Sequence, residues 1–159
     1  MKRIFAITVV MLLSSAMFFV VVCAGAGPVV KPLKGRWSGT TAIVGFCSDQ
    51  SPFLALSTAK GIMTLTGESE WASSVCCGPT GHCEGTALIT AANGDVLILS
   101  IIHDFNPVLG TWEQSEVFTG GTGRFEGVTG NSTSSGTFTF TGQLTDSWTG
   151  TNEGMLTFY

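Results

Sequence analysis

The chain has 159 residues, enough for one domain and a leader but not for two domains. Its formal net charge is −4, and without Lys2 and Arg3 of the apolar start there remain five Lys+Arg against eleven Asp+Glu, a net −6. There is no basic patch, which argues against nucleic acid as a partner and against attraction of the folded part to an anionic membrane surface.

Met1-Lys2-Arg3 is a short positive start, followed by an uncharged apolar run from Ile4 to about Ala26 and then by Gly27-Pro28, which stops any helix. This is the layout of a secretory signal over residues 1–26, with Ala24 and Ala26 offering a small-residue cleavage site. Two other readings stay open. The run is long enough to remain as a membrane anchor, and Cys23 offers a lipidation site, although Val22 stands where such sites carry Gly or Ala. All three place the domain outside the cytoplasm, secreted or at the cell surface, and the N-terminal segment is its one route to a membrane.

Residues 27–32, with Pro28 and Pro32, read as a linker before a domain spanning 33–159. No helical period follows. Short β-branched and aromatic runs alternate with Gly, Ser and Thr turns, the pattern of an all-β sandwich or barrel. The first strand is expected over Lys34 to Val44, with Leu33, Gly35, Trp37, Gly39, Thr41 and Ile43 inward and Lys34, Arg36, Ser38 and Thr40 in water. Phe46 to Thr58 reads as a loop, and strands follow over about Lys60 to Thr66 and Glu68 to Val75. Cys76 to Cys83 reads as a Gly/Pro loop. Ala92-Asn93-Gly94 joins two further strands, Glu84 to Ala91 and Asp95 to His103, through a strong hairpin signal. Val96-Leu97-Ile98-Leu99 is apolar on both faces, so it is expected to lie centrally or to be covered on its outer side. Thr111 to Thr119 is the next strand; then come a glycine cluster, an alternating Thr/Phe strand over Thr133 to Thr141 and a last strand over about Gly150 to Tyr159. Eight short strands suffice to close a small barrel.

Apart from Cys23, four cysteines remain, an even number suited to an oxidising compartment. A bond between neighbours Cys76 and Cys77 has unfavourable geometry. The expected pairing joins Cys47 to Cys76 or Cys77, with Cys83 closing on the other.

The run Gly120-Gly121-Thr122-Gly123-Arg124-Phe125-Glu126-Gly127-Val128-Thr129-Gly130, followed by the Thr/Phe strand, resembles a segment of the allene oxide cyclase-like and dirigent-like β-barrels. Thr90-Ala91-Ala92-Asn93-Gly94-Asp95 and the strand from Lys34-Gly35 to Gly39-Thr40 add to the likeness, which runs from Leu33 to Tyr159 and is strongest to exported bacterial members without an assigned activity. The resemblance implies an eight-stranded antiparallel, calycin-like barrel. It does not transfer a chemistry. Dirigents, which steer the coupling of phenol radicals, resemble F-R-x-A-R-G over the stretch matching Phe125 to Gly130, and here Glu126 and Thr129 replace the arginines. Allene oxide cyclases carry an early cavity glutamate, and Lys34 to Val44 holds no carboxylate.

The glycine cluster lacks the Gly-Lys-Ser/Thr ending of a phosphate cradle; it reads as a tight crossing in which Phe125 plugs one barrel end. Cys76, Cys77, His82 and Cys83 lack zinc-site spacing, so no metal site is assigned. His103 and Asp104 point to opposite faces of a strand and form no catalytic pair. No serine stands in a nucleophile elbow, no catalytic residue is assigned, and no cofactor is implied. Asn131-Ser132-Thr133 matches a glycosylation sequon, for which chance is the default reading.

Trp112, Gln114, Glu116 and Phe118 share one face, which should be the inner one. Glu116 is therefore a candidate interior carboxylate, and Trp37, Trp112, Gln114, Glu116 and Phe138 form the candidate ligand-binding set. Three functions follow: a structural or envelope protein with a filled barrel, a binder of a small hydrophobic molecule, or a cyclase or isomerase using Glu116 as acid or base.

Overall fold

A computed structural model describes residues 27–47 and 53–159; the segment read as a leader lies outside them. The described chain forms eight strands: β1 (Val29–Gly45), β2 (Phe53–Met63), β3 (Gly67–Cys77), β4 (His82–Ala91), β5 (Val96–Asn106), β6 (Thr111–Gly121), β7 (Thr129–Phe140) and β8 (Thr145–Phe158). Each pairs antiparallel with the next, and β8 pairs with β1 from Val29↔Phe158 to Ala42↔Thr145, so the sheet is a closed barrel. Closure satisfies the backbone groups an open sheet would leave on its edges.

The side-chain period of two decides which residues fill the barrel. On β1, Leu33 and Trp37 are buried while Lys34, Arg36, Ser38 and Thr40 face water, as the alternation requires. Three boundaries differ from the sequence reading. β1 starts at Val29, because Val29 to Pro32 pair with Phe158 to Met155; the residues read as linker are thus largely strand. β2 starts at Phe53, so half of the expected 46–58 loop is strand, whereas Thr64 to Thr66 lie in a turn. Its outward Leu56 is 43% exposed and disguises the alternation. The expected 76–83 loop shrinks to residues 78–81, because β3 runs on to Cys77 and β4 begins at His82.

Of the two expectations for Val96 to Leu99, a central position or an outer cover, the first holds, since β5 pairs with β4 and β6, while Ile98 has no outer cover among the described residues. Leu97 and Leu99 are fully buried, while Ile98 is 39% exposed and lies beside the exposed Leu88 across the β4–β5 ladder.

The glycine cluster closes one end of the barrel. A single 3-10 turn (Gly123–Phe125) carries Phe125 inward, where it is 1% exposed. Gly123 (φ 57°) and Gly127 (φ 69°) take backbone conformations that disfavour a side chain. Asp95, at the β4–β5 hairpin, accepts hydrogen bonds from Asn93 Nδ2 (2.7 Å) and from the Arg124 backbone N–H (3.3 Å), holding this crossing against the hairpin. Around Phe125 pack Leu33, Ile89, Leu97, Leu99, Phe118, Val128 and Leu156, all at most 2% exposed. This half of the barrel is a filled core.

Candidate functional site: the aromatic half of the barrel

The other half is not filled. A cavity of about 130 Å³ lies within it. That is roughly ten times the ~10–15 Å³ a single water needs, and below the ~300 Å³ at which pockets for drug-sized ligands begin. The size suits a small molecule. Two cross-strand contacts position its walls. The Trp37 ring lies over Gly61 and the Trp112 ring over Gly150, at approaches too close for any Cβ at either glycine. Trp112 meets Trp148 edge to face at 5.5 Å, Trp37 meets Trp71 at 5.9 Å, and Phe105 meets Phe138 at 6.0 Å. All four tryptophans of the chain line the cavity.

Trp37, Trp112, Gln114, Glu116 and Phe138 all line this one cavity, as the alternation of their strands requires. Glu116 is 2% exposed. It sits one inward position from Phe118 of the filled core, so it occupies the cavity floor. Its carboxylate accepts hydrogen bonds from the hydroxyls of Ser132 and Ser134, its neighbours across the β6–β7 ladder, and from Gln114 Nε2 at 2.8 Å. Three neutral donors hold the group; among the described residues no lysine or arginine lines the cavity.

The alternation also brings in residues that the sequence reading left out. His103 lies beside Gln114 across the β5–β6 ladder. Burial holds its imidazole below the ordinary histidine range, against the opposing effects of Asp104 and Gln114. Asp146 and Trp148 enter from β8, which starts at Thr145 rather than near Gly150. Burial pushes the Asp146 carboxyl above its usual range, against a smaller lowering effect of Thr41, its partner across the β1–β8 ladder. Asp146 Oδ1 and Trp112 Nε1 are buried without a hydrogen-bond partner. Trp71 carries the parity of the expected third strand and was findable from it. Asp146 and Trp148 follow a Gly/Thr-rich turn and gave no such signal.

Asp104 points outward, away from His103, and hydrogen-bonds His82 at 2.7 Å. That bond, then a weaker one to Glu84, raises the His82 pKa; all three residues are exposed. The four cysteines form Cys47–Cys76 and Cys77–Cys83 disulfides, one of the expected pairings. Cys76 faces outward to Cys47, while Cys77 faces the cavity and meets Cys83 directly across the β3–β4 hairpin. Both bonds lie in the cavity half and suit an oxidising environment.

The described chain is thus an eight-stranded antiparallel barrel with a filled half and an aromatic, carboxylate-floored half. No family model matches the chain, and no curated protein does. Among solved structures it is similar to the pterocarpan synthase dirigent protein GePTS1, with a TM-score of 0.54 and 12% sequence identity, covering 83% of this chain and 86% of that one. At that identity the likeness concerns the fold alone.

Proposed function

We propose that the protein is an exported binder of a small, mostly apolar molecule held in the aromatic half of the barrel. The observation that carries this reading is the cavity of about 130 Å³ with a buried carboxylate at its floor. A barrel of purely structural use gains stability from filling its interior, as the Phe125 half does, and gains none from an interior carboxylate. Export is supported by the positive start and apolar run of residues 1–26 and by the two disulfides.

The test uses intrinsic fluorescence, since every tryptophan borders the cavity. Titration with a panel of fatty acids, phenols and small amines should give a saturable change with at least one class. Ser73→Phe, which places a ring into the cavity, should abolish it without unfolding the barrel. A flat response to the whole panel, or one unchanged in Ser73→Phe, contradicts the reading.

A second reading, a cyclase or isomerase with Glu116 as acid or base, draws on the same carboxylate at the cavity floor. Turnover of a bound compound that is lost in Glu116→Gln while binding persists would favour it over simple capture.

A further inference from the structure

The acidic side chains of the cavity are not matched by basic ones: its other polar residues are hydroxyls, the Gln114 amide and His103, whose pKa burial lowers. Glu116 and Asp146 bring two carboxylates into a wall otherwise made mainly of aromatic and small side chains, and no lysine or arginine among the described residues lines it. Glu116 is held by two serine hydroxyls and an amide, all neutral donors. Asp146 retains one buried oxygen with no partner. Trp112 is 7% exposed, lines the cavity, and its indole N–H has no acceptor. Tryptophan faces carry a negative quadrupole that attracts cations, most strongly where water is excluded. A cavity that joins four tryptophans to two carboxylates, with no cation of its own, is complementary to a positive guest.

Resting on the reading of this cavity as a binding site, we infer that its ligand is a small organic cation, an ammonium compound that also bears an oxygen acceptor. The ammonium answers Glu116 and Asp146 and packs on the indole faces. The acceptor oxygen satisfies the orphan Trp112 N–H. Fatty acids carry the wrong charge, and a neutral apolar guest would leave Asp146 Oδ1 and the Trp112 indole N–H unanswered. The raised pKa of Asp146 agrees with this, since it marks a carboxylate taken out of water without a cationic partner.

The test compares choline with its neutral carbon isostere 3,3-dimethylbutan-1-ol, which has the same shape and hydroxyl but no charge. Binding is read by tryptophan fluorescence and calorimetry on the full exported protein with its disulfides intact. Choline should bind at least tenfold more tightly than the isostere, and the preference should shrink in Glu116→Gln and in Asp146→Asn. Asp146 is half-buried near the rim, so that variant serves if the floor substitution disturbs folding; thermal melts accompany both. Equal or tighter binding of the neutral isostere overturns the cation inference and leaves the binding reading standing. A preference for choline that neither variant reduces also overturns it. If neither compound nor any small amine binds while a fatty acid or a phenol of the panel does, the cation inference alone fails; if nothing in the panel binds, both fail.

Discussion

Glu116 is buried in a barrel with no cation beside it, so its stability must come from its three hydrogen-bond donors. Hydrogen bonds to a charged group contribute about 1.5–3 kcal/mol each. Ser132 and Ser134 are 4% and 6% exposed and both donate to Glu116, so the double variant Ser132→Ala/Ser134→Ala should lose about 3–6 kcal/mol at neutral pH. That is a large part of the ~5–15 kcal/mol that holds a typical domain. Glu116→Met alone strands two hydroxyls and the Gln114 amide and should also destabilise. Placed in the double-alanine background, the same methionine should recover much of the loss, because an apolar group then sits in an apolar site. Urea unfolding of the four proteins, followed by far-UV circular dichroism, gives the cycle. A double variant that loses less than about 1 kcal/mol, or a methionine that worsens it, would refute the view that this hydrogen-bond network holds the Glu116 side chain in the interior.

The two disulfides should differ in weight. Loop-closure entropy gives about 3.6 kcal/mol for Cys47–Cys76, which spans 29 residues, and about 2 kcal/mol for Cys77–Cys83, which spans 6, so urea melts of the paired serine variants should rank in that order. Phe125→Ala should cost about 3–5 kcal/mol and leave ligand responses intact, since it opens the filled end; equal loss of binding in titrations would contradict the division of the barrel. Gly150→Ala should shift the Trp112 ring and alter the emission spectrum, at a cost of about 1–3 kcal/mol. The raised Asp146 pKa means that the folded state holds this proton more tightly than the unfolded chain, whose value is 3.8. Its stabilising effect is complete below that pH and is lost as pH rises through the folded value, so Asp146→Asn should be more stable than wild type at pH 7 and equal to it near pH 3 in thermal melts.

The barrel was legible because its period-two patterns survive in β1, β6 and β7. Trp37, Trp112, Gln114, Glu116 and Phe138 share inward parity, and parity alone brought them to one cavity. The plug was legible because Phe125 stands between glycines that permit positive φ. What escaped did so for physical reasons. β2 places Leu54 and Leu56 outward, so solvent exposure and hydrophobicity disagree there. The start of β8 is a polar run, Thr145-Asp146-Ser147, that resembles a turn and becomes a strand because Thr41 and Ala42 of β1 and Thr139 and Phe140 of β7 pair with it. Asp146 and Trp148 were hidden with it, since they depend on which strand ends close the barrel rather than on any local pattern. Ile98 misled for the opposite reason: a strand apolar on both faces suggests cover, and here the outer face has none in the described chain.

The central claim is that the aromatic half of the barrel holds a small molecule. Native mass spectrometry of the protein purified from its own source tests this most directly, because it detects a guest of any chemical identity. The account predicts a bound species of small mass in wild type, released on denaturation and absent from Ser73→Phe prepared in the same way. A spectrum holding the bare polypeptide mass alone, from material that also fails to respond in tryptophan titrations, would contradict it.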